Sequence, residues 1–179
     1  PSIIVSGKRA SLPHGTASEK KIEYGDFLTL DFGCIYNEYC SDMTRTIFIG
    51  KASDRQKEIY NIVLEANEKA LEQIRPNITG QELDKIARDV IEEKGYGEYF
   101  GHGLGHGVGM DIHELPSISR KGKEPIAANM VITDEPGIYI PNFGGVRIED
   151  LILVTSSGHR VLSKSDKNII EINNWLLKN

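Results

Sequence analysis

Apolar residues recur along this chain at two different periods, and the changes of period divide it into three stretches. Over the first fifty residues the pattern is short and alternating. Residues 3–5 form a brief apolar run. From 26 to 33 the alternation places Phe27, Thr29 and Asp31 on one face and Leu28, Leu30 and Phe32 on the other. From 41 to 49 a β-branched run gathers Asp42, Thr44, Thr46 and Phe48 on one face. Both segments read as strands, because successive side chains of an extended chain point to opposite sides.

The period then changes to that of a helix. Ser53 with Gln56 makes a capping box, followed by Ile59, Val63, Ala66, Ala70, Leu71 and Ile74 on one apolar face until Pro76 stops it. Thr79 with Glu82 makes a second box, opening a helix with Leu83, Ile86, Ala87, Val90 and Ile91 inward that ends at Lys94-Gly95. From Gly97 onward the chain reads as extended again, most clearly over 131–135 and 146–154. Trp175, Leu176 and Leu177 predict a short terminal helix or docking segment. Strands, helices, then strands imply an α+β fold with a mainly antiparallel sheet. A faint internal symmetry accompanies it. Asp31 and Asp42 fall on one pair of neighbouring strands and Glu135 and Glu149 on another, each read as a hairpin with one carboxylate per strand.

Composition changes this picture little. No linker or low-complexity segment interrupts the 179 residues, so they read as one domain. A net charge of −5 spread over both halves, without long Lys/Arg runs, disfavours nucleic acid and anionic membranes as partners. No apolar stretch approaches the roughly 18 residues of a membrane span. A basic-then-apolar leader is not visible at the start, and a cytoplasmic location is expected. Cys34 and Cys40 lack the CxxC spacing and read as reduced, packed thiols.

The acids inside apolar strands demand an explanation. Asp31 follows Leu28-Thr29-Leu30, Glu135 follows Val131-Ile132-Thr133-Asp134, and Glu149 follows Val146-Arg147-Ile148. A carboxylate removed from water is costly unless paired, hydrogen-bonded or bound to metal. Only Arg45 and Arg147 lie nearby in sequence as fixed counter-charges. Histidines cluster in the same regions: His14 in Pro-His-Gly, His102 and His106 in Gly-His-Gly-Leu-Gly-His-Gly, and His113 in Asp-Ile-His-Glu. His159, in a polar turn, reads as solvent-exposed. The glycines at 101, 103, 105, 107 and 109 argue against a helical His pair and permit close backbone approach instead. Carboxylates with imidazole form a hard, oxygen-rich donor set suited to Mn²⁺. Two such ions sharing carboxylates are a hydrolytic device, which leaves the substrate open.

Asp31-Phe32-Gly33, Ser41-Asp42-Met43-Thr44-Arg45, the Gly101–Gly107 run, Glu135-Pro136-Gly137-Ile138-Tyr139 and Val146-Arg147-Ile148-Glu149-Asp150 occur in the order seen in Xaa-Pro aminopeptidases and prolidases. The chain therefore resembles the pita-bread metallopeptidases, which also include methionine aminopeptidases and creatinases. The resemblance implies a pseudo-twofold, curved sheet with covering helices. It implies five metal ligands: Asp31 on one ion, His106 and Glu135 on the other, and Asp42 and Glu149 bridging. His106 is preferred over His102 because it stands seven residues before His113. The cofactors implied are two divalent ions, Mn²⁺ first, with Co²⁺ or Zn²⁺ as alternatives. His14, His102 and His113 resemble the outer histidines that position substrate and move protons, and Arg147 the arginine of the proline-specific branch. The implied chemistry is attack of a hydroxide held between the metals on a carbonyl polarised by one metal and by His113. Glu135 is the implied proton acceptor, proline-containing peptides the partners, and a homodimer is compatible with the resemblance.

The chain departs from the family pattern in two respects. Relative to it, residues 1–179 read as the catalytic domain lacking its first helices and the separate N-terminal domain. Asp134 also stands where relatives usually carry an apolar residue, so it is expected either to be solvated or to perturb the site. The alternatives carried forward are a methionine aminopeptidase, against which His102 and Arg-Ile-Glu-Asp count, and an inactive pita-bread binding module.

Overall fold

Both capping boxes form. Ser53 Oγ accepts from the backbone N–H of Gln56 while the Gln56 side chain accepts from the N–H of Ser53, and Thr79 and Glu82 repeat the exchange. Each box satisfies two of the N–H groups that a helix start leaves unpaired. In the computed structural model, which describes residues 2–173, helix α1 runs Asp54–Leu71 and α2 Gly80–Glu93. The apolar stripes are the expected ones, with Ile59, Val63, Ala66 and Ala70 of α1 and Leu83, Ala87 and Ile91 of α2 buried in one core. Ile74 is buried too, but beyond the last turn of α1. The segment expected around Trp175 lies outside the described residues.

Thirteen strands accompany the helices among the described residues: β1 (Ile3–Ser6), β2 (Phe27–Phe32), β3 (Ile35–Tyr36), β4 (Tyr39–Cys40), β5 (Met43–Ile49), β6 (Gly105–Gly107), β7 (Glu114–Ile118), β8 (Val131–Asp134), β9 (Gly137–Ile140), β10 (Gly144–Arg147), β11 (Asp150–Val154), β12 (His159–Val161) and β13 (Glu171–Ile172). One sheet has the order β1-β2-β5-β13 and a second β12-β11-β8-β6-β7, with β9–β10 and β3–β4 as separate two-stranded ladders. Pairing is antiparallel except between β13 and β5. The alternation in β2 is kept, with Phe27 in the main core beneath the helices and Leu28 in a smaller cluster with Ile47 and Ile49. Among the described residues no helix is long and apolar enough to cross a membrane.

Several expectations need correction. The segments 131–135 and 146–154 are not continuous strands. β10 pairs with β9 as far as Arg147 opposite Gly137, and β11 pairs with β8 from Asp150 opposite Asp134. The chain changes partner between them, at Glu135–Pro136 and at Ile148–Glu149. There the Glu135 N–H donates to the Leu104 carbonyl at 2.8 Å, and the Glu149 N–H crosses to the Thr44 carbonyl at 3.1 Å. The second carboxylate pair therefore sits at two ladder breaks rather than on a hairpin. Similarly, Asp42 precedes β5 instead of lying in it. His159 belongs to β12 and is half-buried, its Nδ1 donating to the Ile74 carbonyl at 3.1 Å. The thiols are not packed away either, because β3–β4 has two residues per strand and stands clear of the core. Cys34 is exposed and Cys40 half-buried.

Leu83 is completely buried between the helices and the sheet. Leu83→Ala is expected to lower unfolding stability by about 2–5 kcal/mol through lost burial and a residual cavity. Thr79→Ala, which removes only a cap, is expected to cost about 1 kcal/mol. Denaturant melts of both variants against the parent check the ranking.

Candidate metal centre

The sharp return after β2 begins at Gly33, where a Cβ would collide with the Ser41 carbonyl. Glycine at this point allows the strand ends to close, so that Asp31, paired opposite Thr44, and Asp42 face the same space. The glycine-rich run supplies the opposite wall as strand β6 rather than a helix, and a side chain at Gly105 would strike the Thr133 carbonyl. The His106 N–H is held by Thr133 Oγ1 at 3.0 Å. Its Nδ1 lies 3.0 Å from the Gly107 carbonyl, which can only accept, so Nδ1 carries a proton. Nε2 is thereby turned to the acids, 3.3 Å from Glu135 Oε1 and 3.7 Å from Asp42 Oδ2.

All the residues singled out by the sequence reach one cavity of about 810 Å³: His14, Asp31, Asp42, His102, His106, His113, Glu135, Arg147 and Glu149. Within it, one donor atom each from Asp42, His106 and Glu149 lie within 4.8 Å of one another. Asp31 and Glu135 flank this trio. Asp31 Oδ2 is 2.5 Å from Arg147 Nη2, and Glu135 accepts from Thr133 Oγ1 at 3.2 Å.

The electrostatics show what such a cluster demands. Burial, then the charges of Asp31 and Glu135, push the Asp42 carboxyl up to about 6. Burial, then Glu135 and Asp42, hold Glu149 well above the usual carboxylate range, although Thr44 Oγ1 donates to its Oε2 at 2.5 Å. Burial also disfavours charge on His106 and on Glu135, but the hydrogen bond and attraction between them prevail, raising the imidazole and lowering the carboxyl. These acids thus destabilise one another's charge, and a divalent cation among them would relieve that strain. The donor set of carboxylates and one oriented imidazole fits a hard metal ion.

Arg147 is enclosed, 3% exposed, and its contacts differ from a simple pairing with Glu149 or Asp150. Nε donates to Thr44 Oγ1 (3.1 Å), Nη1 to the Pro13 carbonyl (3.0 Å) and Tyr139 Oη (2.9 Å), and Nη2 to Asp31. Because Arg147 can only donate, the Tyr139 hydroxyl is free to give its own proton to His102 Nε2 at 2.8 Å. His102 Nδ1 then donates to the Gly103 carbonyl at 2.7 Å. Burial holds this imidazole below its ordinary pKa. Both its ring nitrogens are thus hydrogen-bonded within the protein. His14 and His113 are exposed at the cavity, the His113 ring 4.3 Å from that of His106 and edge-on to it.

Tyr139 and Thr44 both lie within the sequence motifs, but the motifs give neither a role in the site. The signal available was the i+4 position of Tyr139 after Glu135 and the alternation that aligns Thr44 with Asp42. Asp134 is not solvated. It is 1% exposed, one oxygen near Asn67 Nδ2 at 3.2 Å and the other without a hydrogen-bond partner.

Residues 1–156 match metallopeptidase family M24. The chain is 55% identical over 169 residues to the Xaa-Pro dipeptidase of Pyrococcus horikoshii, covering 94% of this chain and 48% of that protein. Its fold matches the solved Xaa-Pro dipeptidase from Bacillus anthracis with a TM-score of 0.93 at 56% identity, over 95% of this chain and 48% of the other. It matches the X-Pro aminopeptidase from Thermotoga maritima with the same TM-score at 46% identity, again over 95% and 48%. The chain spans about half the length of the curated relatives it matches. The pita-bread expectation is borne out by these likenesses. With motif order, fold and relatives in agreement, this chain belongs to metallopeptidase family M24.

Proposed function

We propose that this chain forms the dinuclear metal centre of a peptidase that cleaves the bond preceding proline in short peptides. The observation that carries the reading is the convergence of Asp42, His106 and Glu149 within 4.8 Å, flanked by Asp31 and Glu135, in a cavity large enough for a small peptide. Asp31, Asp42, His106, Glu135 and Glu149 would hold the ions, with Mn²⁺ favoured by the oxygen-rich set and Co²⁺ or Zn²⁺ as alternatives. When bound, the ions supply Lewis-acid polarisation and lower the pKa of water.

The protein's own groups complete the site. Glu135 faces the cavity as an anion and serves as proton acceptor. His113, exposed beside His106, would donate to an oxygen of the scissile group, a role its position at the cavity supports. His102 acts from behind, holding Tyr139 and through it Arg147. Four of the five N–H groups of Arg147 are committed within the protein, so its first duty is to fix Asp31, and one N–H remains for a substrate carboxylate. Ile35, Met110 and Ile112 give the cavity apolar surface. An Xaa-Pro bond offers no N–H for recognition, so shape and the polar groups beyond the ring must select it.

Two outcomes are expected. His106→Ala and Asp42→Asn weaken Mn²⁺ binding in calorimetric titration, whereas His113→Ala retains the metal and lowers kcat by about 10²- to 10³-fold, the cost of one transition-state donor. The reverse pattern would overturn the role assignments. Matched Xaa-Pro and Met-Ala peptides, assayed with added Mn²⁺, are expected to show release of the first residue from the Xaa-Pro substrates only. Preferential cleavage of Met-Ala would favour a methionine aminopeptidase, and tight Mn²⁺ binding without turnover of either would favour an inactive binding module.

A further inference from the structure

Behind the two glutamates lies a second polar layer that the reaction does not use. Asp134 and Asp150 face each other across the last rung of the β8–β11 ladder, immediately before Glu135 and after Glu149. Strand alternation turns these aspartates away from the cavity while the glutamates face it. Arg45 commits all five of its N–H groups here. Nε donates to the Asp166 carbonyl (3.1 Å), Nη1 to the carbonyls of Thr44 (2.9 Å) and Glu149 (2.6 Å), and Nη2 to Asp150 Oδ1 (2.7 Å) and the Ser165 carbonyl (2.9 Å). On the other strand, Asn67 of α1 donates through Nδ2 to both the carbonyl and Oδ2 of Asp134, each at 3.2 Å.

A single side chain joins these two grips. Lys167 Nζ donates to Asp150 Oδ2 at 2.8 Å and to Asn67 Oδ1 at 2.8 Å. It comes from the segment between β12 and β13, anchored on α1 where Tyr60 Oη donates to the Lys167 carbonyl at 3.0 Å. The Asp134 carbonyl belongs to the peptide that leads into Glu135, and the Glu149 carbonyl to the peptide that leads out of Glu149. Fixing both carbonyls fixes the origins of both glutamate side chains at ladder breaks where the sheet itself does not. We infer that Lys167 is a positioning residue for the metal carboxylates, locking Glu135 and Glu149 at their mutual spacing through Asn67 and Asp150.

The inference rests on the metal-dependent reading above. The competing account is that Lys167 only neutralises a buried acid and contributes to stability alone. Partners one shell behind a metal's ligands usually govern affinity by about 10- to 100-fold. Mn²⁺ affinity by calorimetry and the thermal midpoint of the metal-free chain therefore separate the accounts. Lys167→Met is expected to bind Mn²⁺ at least about tenfold more weakly, with Lys167→Arg recovering most of the affinity. Tyr60→Phe loosens the same segment but leaves the ammonium in place, and is expected to keep the parent affinity. Asn67→Ser breaks the lock at its other end and carries the same expectation as Lys167→Met, which keeps the test intact if the lysine variant does not fold. Parent-like affinity in both Lys167→Met and Asn67→Ser overturns the inference and leaves the peptidase reading standing. So does an equal loss of affinity in Tyr60→Phe. If the parent chain does not bind Mn²⁺, the metal reading falls and this inference with it.

Discussion

The polar seam between the first sheet and the β9–β11 region is the constraint on which the rest of this structure depends. β5 meets β10 and β11 without continuous sheet pairing, and apart from the Glu149 N–H bond to the Thr44 carbonyl the join is made by side chains. Thr46 Oγ1 both donates to the Arg147 carbonyl and accepts its N–H, Thr44 grips Glu149, and Arg45 and Arg147 cross in opposite directions. Such a join is stable only if nearly every donor and acceptor finds a partner, because an orphaned buried polar group costs about 1–3 kcal/mol. The two arginines meet that requirement, with nine N–H groups committed between them. What they leave unbalanced is the excess of carboxylates on the cavity side, and that imbalance is what suits the site to cations.

The same seam divides labour by depth. Arg147 faces the cavity and ties Asp31 to Tyr139 and His102, while Arg45 lies behind Glu149 and ties it to the C-terminal segment. Asp31 and Glu149 are each gripped by a side chain from another element, Arg147 and Thr44, and the His106 backbone is held by Thr133 of β8. This kind of support from outside holds a charged cluster at a fixed spacing against its internal repulsion.

Much of this was legible in the sequence, and the limits have physical reasons. Capping boxes announced both helix starts because the interaction spans three residues and is wholly local. Alternation placed Thr44 and Thr46 beside Asp42, and the glycine spacing excluded a helix around His106. Partner exchange at Glu135 and Glu149 was invisible, since extended chain keeps its period while changing the strand it bonds to. The Thr44–Glu149 contact spans 105 residues and is set by tertiary register alone. Lys167 lies in a polar stretch without periodicity, where no pattern distinguishes a half-buried, paired ammonium from a solvated one. His159 was misread for the same reason: its partner, the Ile74 carbonyl, is distant in sequence.

The rim of the cavity carries a further consequence. It is built from the β3–β4 hairpin, with exposed Ile35, Tyr36 and Tyr39, and from the loop bearing Met110 and His113. The two are joined by the Cys40 N–H donating to the Gly109 carbonyl at 2.8 Å and by the Cys40 thiol near the Met110 carbonyl. Few apolar contacts protect these backbone bonds, whereas those of α1 and α2 lie over a closed core. Opening of the rim therefore requires far less free energy than global unfolding. The mouth of the cavity is thus held by few bonds, while its floor is held by the buried side-chain network around Arg45 and Arg147.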